Sequence, residues 1–386
     1  MEVNGLMFNW RTHMPHKLKR KVGPLLDQFV FGRPFKWSSR RVLAIYEDNR
    51  ISVSQIFPYI YYANDLDIDV RAISRDHFEN ETGPQVEGAD LILLQTWFDL
   101  SVERKNILFE KIRRQNPDAK IVYLDSFAPT DLRLADMLDG EVDLYIKKHL
   151  LCDLKSYQVT NFGDTNLMDY YGKLYGLEHP DVHWPVSEKF AENIIIGPGF
   201  YTSPNMMSYF SPDEPPGGQR EVDIHARLAS NGSGWYQQMR EQSIQSINSL
   251  SGLSIITGSG VPLRQFIREM KNSKLCFSPF GYGEVCWRDI EAFGTGSLLI
   301  KPDMSHLKTN PDLFIPYETY IPVSWDFSNL EEKVRQILAD DQMREEIAFN
   351  AYSKVHKYLA EKTFVDQMKP IFELVGNRSA GHTAGS

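Results

Sequence analysis

The chain has 386 residues, of which 42% are hydrophobic and 24% are charged, and its formal net charge is −9. These proportions belong to folded proteins and exclude an intrinsically disordered or collagen-like chain, and the length is sufficient for two domains. The acidic balance disfavours nucleic acid as a partner, since nucleic-acid-binding proteins carry a surplus of basic residues.

The number of cysteines and the lengths of the apolar segments indicate the cellular compartment. Cys152, Cys276 and Cys286 are too few for a disulfide framework and lack zinc-type spacing, which favours a reducing environment. No apolar run is long enough to cross a bilayer, and the first residues lack the apolar stretch of a secretory signal, so we expect a cytoplasmic protein. Basic and aromatic residues interleave over 16–41, which predicts either a segment packed on the first domain or a patch that contacts an anionic membrane.

The first half of the chain alternates apolar strands with helices. Such alternation predicts a parallel sheet with helices on both faces. We place a lead-in at 1–40, a Rossmann-like domain at 41–200 and a linker rich in Pro, Gly and Ser at 201–220. The predicted elements are strands at 41–47, 67–73, 89–95, 120–125 and 142–148, and helices at 51–63, 101–115 and 130–138.

The same alternation resumes after the linker and predicts a second Rossmann-like domain at 221–358. A helix at 359–375 follows, with a break expected near Pro370, and then a polar tail at 376–386. Ligands of doubly wound sheets bind outside the carboxyl ends of the strands, so two such α/β domains are expected to face one cleft. The predicted elements of the second domain are strands at 221–228, 253–258, 274–280 and 297–302, and helices at 235–250, 262–270, 284–293, 330–339 and 343–358.

The most informative stretch is 273–302. A strand ends at Ser278, and a turn containing Gly281 and Gly283 follows. Glycines let backbone approach a ligand closely, and the N-terminus of a helix that follows them suits a diphosphate. The stretch contains neither a Walker A loop nor a GxGxxG motif.

Three charged residues of this stretch are spaced as one helix face. Glu284, Arg288 and Glu291 lie four and three residues apart on a helix predicted to open at Glu284. Arg288 would neutralise phosphate, and Glu291 would accept hydrogen bonds from the two hydroxyls of a ribose. The alternative is an ordinary surface ion pair between Glu284 and Arg288.

This stretch resembles the nucleotide-sugar half of GT-B glycosyltransferases. RDIEAFGTGSLLIKP (288–302) is similar to that family's ribose-binding helix, and KNSKLCFSPFGYGEVCWRDIEA (271–292) most resembles exostosin-like and related bacterial members. The resemblance covers about 221–340, and it implies that the helix at 359–375 crosses back to the first domain. It implies a metal-independent enzyme that moves a sugar from a nucleotide-sugar to a glycan or lipid-linked acceptor in bacterial surface polysaccharide synthesis, with Glu291 on the ribose and no further cofactor. Gly283 replaces the first Glu of the Glu-x7-Glu motif of many retaining members, which leaves retention or inversion open.

Topology adds further donor-site candidates. His225 and Arg227 end the first strand of the second domain, and Arg227 would bind phosphate or else form a surface salt bridge. Gly258 ends the next strand, where a nucleobase lies in the resembled family; the alternative is an ordinary turn between a helix and a strand. Lys301 closes the strand at 297–302. Lys301, Arg288 and Arg227 would together stabilise the leaving diphosphate.

An inverting transfer also needs a base that takes the proton of the acceptor hydroxyl. Asp125, Asp48 and Glu47 are the main candidates, because each follows a strand of the first domain; His149 is a fourth. The segment DLDID (65–69) imitates an Asp-x-Asp metal motif, but we interpret it as a solvated edge and expect no metal. Two other functions fit the fold: a nucleotide-sugar epimerase, and a non-catalytic subunit that binds a glycan or acts as a scaffold.

Overall fold

The computed structural model describes residues 35, 39–80, 85–232 and 234–376. Most of the basic and aromatic segment 16–41 and of the tail 376–386 therefore lies outside the described residues, and its predicted contacts stay predictions. No helix in the described ranges combines the length and the apolar character needed to cross a bilayer.

Apolar runs form the strands, as expected for sheets buried on both faces. In β1, for example, the five residues Val42 to Tyr46 are all buried. The strands are β1 (Arg40–Tyr46), β2 (Ile68–Ser74), β3 (Leu91–Leu94), β4 (Lys120–Asp125), β5 (Leu144–Lys147), β6 (Leu150–Leu151), β7 (Asn161–Phe162), β8 (Asp181–Val182), β9 (Ile194–Ile196), β10 (Val222–His225), β11 (Ile255–Ile256), β12 (Ser273–Phe277), β13 (Leu298–Pro302), β14 (Leu307–Lys308) and β15 (Ile321–Val323).

Two parallel sheets share the same strand order. The first runs β2-β1-β3-β4-β5-β9, and the second runs β11-β10-β12-β13-β15. In each sheet the chain starts at an interior strand, adds one neighbour, and then continues on the other side. The order in which strands are added thus reverses between β1 and β3 and between β10 and β12, and this is where doubly wound folds bind ligands. The predicted α/β class with two Rossmann-like units is confirmed.

The helices begin at side-chain caps in several places. Asn49 accepts hydrogen bonds from the amides of Ile51 and Ser52, and Ser101 accepts one from Arg104. The helices are α1 (Arg50–Tyr61), α2 (Arg75–Glu79), α3 (Val102–Gln115), α4 (Ala135–Leu138), α5 (Asn166–Leu174), α6 (Glu188–Ala191), α7 (Pro204–Met207), α8 (Gly234–Asn248), α9 (Leu263–Lys271), α10 (Trp287–Thr295), α11 (Leu330–Leu338), α12 (Asp341–Ala360), α13 (Thr363–Gln367) and α14 (Lys369–Glu373).

The two halves of the chain are joined by packing as well as by the linker. Strands β6 and β14 pair antiparallel, with Leu151 opposite Leu307. The C-terminal helices return to the first domain, where the Tyr59 hydroxyl of α1 lies 2.9 Å from the sulfur of Met368. The predicted break near Pro370 is confirmed, because α13 ends before Met368 and Pro370 lies in the first turn of α14.

Some elements differ from the sequence prediction. The helix predicted at 130–138 is reduced to α4, because the Asp131 carboxylate accepts a hydrogen bond from the Arg133 amide and forms a turn instead. The solvated edge predicted at 65–69 is wrong for Asp69, which is buried in β2 and pairs with Arg71 at 3.2 Å. Helix α5 was not predicted, and it packs against α8.

Candidate active site

A group of buried nitrogen atoms lies where the strand order reverses in the second sheet. His225 ends β10 and is fully buried, Arg240 comes from α8 and is 6% exposed, and Arg288 comes from the first turn of α10. Both ring nitrogens of His225 and the Nε atoms of Arg240 and Arg288 are buried without a hydrogen-bond partner in the described part of the chain. Buried polar groups are normally paired, so this cation cluster (His225, Arg240 and Arg288) has the donor set for an anion.

Electrostatics within the cation cluster favour an incoming negative charge. Burial, reinforced by the neighbouring Arg288 charge, lowers the pKa of His225 to about 4, so this imidazole is neutral at pH 7. Burial and the same Arg288 charge also lower the pKa of Arg240. The like charges of the two arginines are therefore held near each other, an arrangement that a bound anion would stabilise.

Arg227 and Gly258 meet at the rim of this site. The Arg227 guanidinium donates to both carboxylate oxygens of Glu269, at 2.5 and 2.9 Å, and to the carbonyl of Thr257 at 2.8 Å. A Cβ added at Gly258 would lie 3.4 Å from this guanidinium. The Arg227 side chain is thus already paired, while its main-chain carbonyl accepts a 2.5 Å hydrogen bond from Arg288. The geometry makes Arg227 a residue that positions Arg288.

Glu291 lies on α10 and faces the first domain. It is 5% exposed, and its Oε1 is 3.9 Å from the Arg50 guanidinium at the start of α1. Arg50 also lies 4.0 Å from the centre of the Trp287 ring, which stacks on Phe200 at 4.3 Å. Burial raises the pKa of the Glu291 carboxyl above its ordinary value. Glu291 therefore stands at the contact between the two domains, on the helix that supplies Arg288.

Ser278 and Lys301 are brought together, but in the interior. Ser278 Oγ donates to Asp289 at 2.6 Å, and Lys301 Nζ lies 3.1 Å from the other Asp289 oxygen. All three side chains are fully buried. A lysine in this arrangement neutralises Asp289 within the second domain, and Asp289 in turn accepts a 2.7 Å hydrogen bond from the Cys286 amide at the start of α10.

The helix predicted to open at Glu284 begins at Trp287, so the predicted common face of Glu284, Arg288 and Glu291 is wrong. The physical reason is the Asp289 carboxylate, which caps the helix at Cys286 and leaves Glu284 in the preceding turn. Glu284 is fully buried and accepts a 2.6 Å hydrogen bond from Thr130 of the first domain.

The turn that contains Gly281 and Gly283 lies at the contact between the two domains. The Gly281 amide donates to the Gly283 carbonyl at 3.0 Å and closes the turn. A side chain at Gly283 would collide with the carbonyl of Ala128 in the first domain. Glycine is required there because two backbones approach each other, not because its φ is unusual. The structure thus places Gly283 against protein backbone, where the sequence had favoured close approach to a ligand.

Glu284 has further neighbours that the sequence did not predict. The Nε2 atoms of His149 and His306 each lie 3.8 Å from one of its oxygens. Burial alone would raise the pKa of Glu284, but His306 and the Thr130 hydrogen bond lower it to about 2. His149 is itself kept neutral, because burial and the Lys148 charge lower its pKa well below 6.5.

The three predicted bases lie in different environments. Asp125 is fully buried, pairs with Lys147 at 2.7 Å and accepts a 2.5 Å hydrogen bond from Tyr145, so it is held in the core of the first domain. Glu47 is partly buried and pairs with Arg75, and burial raises its pKa in spite of that partner. Asp48 is exposed in the loop between β1 and α1, two residues before Arg50.

Sequence reasoning missed Arg240 and His306. Arg240 lies on a helix whose sequence shows no strong apolar stripe, so nothing marked that side chain as buried. His306 follows β13 in a loop, and its proximity to Glu284 depends on tertiary contacts. Among the described residues, no group of three or more His, Cys, Asp or Glu side chains is arranged to hold a metal ion.

No family model matches the sequence, and no curated protein matches it. Several solved structures are similar. One is an alpha-glucosyltransferase in complex with UDP, with 10% identity, 86% of this chain and 100% of that chain covered, and a TM-score of 0.53. Another is an alpha-glucosyltransferase in complex with UDP-glucose and DNA containing an abasic site, with 10% identity, the same coverage and a TM-score of 0.51.

The chain has the GT-B fold. This result agrees with the expectation drawn from 271–302, although it is independent of it, because the structural similarity extends over both domains. At this identity the similarity concerns the fold alone, and the ligands of these structures are properties of those proteins.

Proposed function

We propose that this protein is a glycosyltransferase that takes a sugar from a nucleotide-sugar donor. The observation that carries the proposal is the cation cluster, whose buried nitrogens are unpaired in the described part of the chain, at the point where doubly wound sheets generally bind ligands. A nucleoside diphosphate leaving group supplies the negative charge that these atoms lack.

In this proposal, Arg288 and Arg240 stabilise the diphosphate as the glycosidic bond breaks, and neutral His225 donates a hydrogen bond. Such preorganised donors contribute more in a dry site than in water, because they need no reorganisation during the reaction. Arg227 and Gly258 form the rim of the donor site. Lys301 and Ser278 act at a distance, by fixing Asp289 and therefore the first turn of α10.

Glu291 would accept hydrogen bonds from the ribose hydroxyls. It is held close to Arg50 of the first domain, so donor binding and domain contact are coupled through one carboxylate. Gly281, Gly283 and Glu284 hold the turn before α10 against the first domain. The proposal thus assigns donor contact to Arg288 and Glu291 and positioning to this turn.

For an inverting transfer, we propose Asp48 or Glu47 as the base. Both follow β1, where the strand order of the first sheet reverses, and the helix that begins after this loop places Arg50 3.9 Å from Glu291. Asp125 is a poorer candidate, because its oxygens already hold Lys147 and Tyr145 in a site closed to water. If Asp48→Asn or Glu47→Gln lowers turnover while nucleotide affinity stays unchanged, the base is identified.

The acceptor in this proposal is a glycan or a lipid-linked glycan of a bacterial surface polysaccharide, and the reaction needs no metal. The net charge of −9 and the resemblance of 271–302 to exostosin-like enzymes support a glycan rather than a nucleic-acid acceptor. A cytoplasmic site of action, with contact to a membrane through 16–41, completes the proposal.

A thermal-shift screen with UDP, GDP, CMP, TDP and ADP tests the donor assignment. A nucleotide at 100 times its Kd stabilises a protein by about 2.7 kcal/mol. We expect one nucleotide to stabilise the wild type but neither Arg288→Ala nor Glu291→Ala. Arg335→Ala serves as the matched control, since this surface arginine pairs only with Glu331 and the Ser251 carbonyl in the described structure.

Absence of any shift with all five nucleotides would contradict the transferase proposal and favour a glycan-binding or scaffold subunit. A shift that survives in both variants would move the donor site elsewhere. Sugar derivatives of the stabilising nucleotide, incubated with the protein in the absence of an acceptor, separate transfer from epimerisation. Only an epimerase converts the sugar of the donor into an isomer under these conditions.

A further inference from the structure

Helix α5 lies between β7 and β8 in the first half of the chain, yet its tyrosines contact the second domain. The Tyr171 hydroxyl donates to the Trp325 carbonyl at 2.8 Å. Tyr175, at the end of the helix, donates through its hydroxyl to Gln242 Oε1 at 2.5 Å, and Gln242 Nε2 donates to the Asp326 carbonyl at 2.9 Å. Hydrogen bonds thus tie α5 to α8 and to the loop between β15 and α11.

Ring stacking extends the same contact. Tyr171 is fully buried, and its ring lies nearly parallel to the rings of Trp235 and Trp325, at centroid distances of 6.1 and 6.3 Å. Trp235 belongs to α8 and is seven residues before Gln242, so both side chains lie on the face of α8 that contacts α5. The contact therefore extends along two turns of α8.

The other side of α5 is held by the first half of the chain. Asp169 accepts a 2.6 Å hydrogen bond from the Phe162 amide of β7, and β7 pairs antiparallel with β8. Asp164, in the turn before the helix, lies 3.4 Å from the Arg133 guanidinium of the first domain. Because α5 is bound on both sides, a shift of α8 relative to the first domain must break contacts on one of them.

Helix α8 carries Arg240 of the cation cluster, two residues before Gln242. The Arg240 guanidinium lies 5.0 Å from the centre of the Tyr236 ring, one turn earlier on the same helix, and Tyr236 stacks on Tyr282 at 4.4 Å. Among the described residues, no carboxylate forms an ion pair that would fix this guanidinium. The position of Arg240 relative to the rest of the cation cluster therefore depends on the position of α8.

We propose that Tyr171 and Tyr175 are positioning residues for the cation cluster: through them, the first half of the chain holds α8, and with it Arg240, in place for an anion. The inference rests on the proposed function, which identifies that anion as a diphosphate. The two hydroxyls act through α8 and touch no substrate. Without them, α8 occupies its binding position for a smaller fraction of the time, and the apparent dissociation constant rises by the inverse of that fraction.

Inorganic pyrophosphate is the probe for this inference, because it reports a diphosphate site whatever nucleoside the donor carries. Titration calorimetry on the full chain compares the wild type with Tyr171→Phe, Tyr175→Phe and the double variant. We expect each single variant to weaken pyrophosphate binding by about fivefold, the effect of one lost hydrogen bond, and the double variant to weaken it further.

Tyr170→Phe is the matched control for these variants. The Tyr170 ring packs against the same Trp325, but its hydroxyl makes no hydrogen bond within the described residues. This variant should bind pyrophosphate as the wild type does.

Hydrogen exchange on the same variants separates positioning from a general loss of stability. We expect faster exchange of the α8 amides and unchanged exchange in α10, which carries Arg288 and lies outside this contact. Equal acceleration in both helices, or wild-type affinity in the double variant, would overturn the inference. If the wild type binds neither pyrophosphate nor any of the five nucleotides, the proposed function is overturned instead, and faster exchange confined to α8 would still show that α5 holds that helix.

Discussion

Two kinds of buried charge lie at the carboxyl ends of the strands. In one kind, a lysine that ends a strand is paired with an aspartate and both are fully buried, as in Lys147 with Asp125 and Lys301 with Asp289. In the other kind, Arg240 and Arg288 lie together with His225 and have nitrogens without partners in the described structure. The first kind is electrostatically complete, whereas the second is not.

This difference separates charges that hold the fold together from charges that are available to a ligand. A buried ion pair matters for stability chiefly because removal of one partner leaves the other charge buried without a counter-charge. An unpaired cluster, in contrast, costs free energy in the absence of ligand. In the sequence the two lysines end strands and the two arginines lie on helices, and neither position reveals whether the charge is paired. Only the partners distinguish them, so variants at the two kinds should move stability in opposite directions.

The largest expected effect on stability is at Lys301. Lys301→Met would leave Asp289 buried without its counter-charge and would disturb the cap of α10, so we expect a loss of about 3–5 kcal/mol in the free energy of unfolding. Urea denaturation of the purified protein measures it. The double variant Lys301→Met/Asp289→Asn should recover part of the loss. A single-variant cost below about 1 kcal/mol would show that the pair is not structural.

The next effect concerns pH and His225. Its pKa is lowered to about 4 in the folded protein by burial, with Arg288 and Arg227 adding to the shift and Glu269 opposing it. The unfolded chain therefore binds a proton below pH about 6.5, while the folded protein does not until pH about 4. The free energy of unfolding should therefore fall as the pH is lowered from about 6.5 to about 4, by on the order of 2–3 kcal/mol.

Denaturation curves at pH 7, 5.5 and 4.5 measure this slope. His225→Phe removes the titrating group and keeps a ring against Phe266, so its slope should be shallower than that of the wild type. A bound nucleotide should also flatten the slope of the wild type, because an anion beside His225 favours its protonated form. Equal slopes for the variant and the wild type would contradict the assignment.

A smaller loss is expected at Gly283. In Gly283→Ala, the added methyl group meets the Ala128 carbonyl, so the turn or the first domain must shift, at a cost of about 1–3 kcal/mol. Thermal unfolding measures it. Gly217→Ala is the matched control, since nothing lies within 4 Å of a Cβ there and its φ is not positive. If both variants unfold at the wild-type temperature, the domains do not meet through this turn.

Long apolar runs made most of the fold predictable. Strands such as β1, β4 and β13 appear within one or two residues of their predicted bounds, because their residues are buried on both faces whatever their neighbours are. The pairing of β6 with β14 could not be predicted, because each strand has two residues and their partnership depends on contacts about 150 positions apart in the chain.

The site was only partly predictable for the same reason. Arg288 and Glu291 follow a glycine turn after a strand, which is a local pattern, and the structure places both on one helix at the domain contact. The start of that helix depends on the side chain of Asp289, and the burial of Glu284 depends on Thr130, 154 positions away. Spacing along the chain carries no information about such partners.

Arg240 provides the smallest and most discriminating test of stability. Arg240→Met keeps the length of the side chain and removes a buried charge whose Nε is unpaired in the described structure, so the variant should be as stable as the wild type or more stable, by about 1 kcal/mol. Nucleotide binding should nevertheless be lost, because in the proposed donor site Arg240 is one of two guanidinium partners of the diphosphate. Denaturation and titration calorimetry on the same preparation measure both quantities. A variant that loses stability together with binding would place Arg240 with the paired lysines, whereas a gain in stability with a loss of affinity would show that the unpaired cluster is held in a costly state for its ligand.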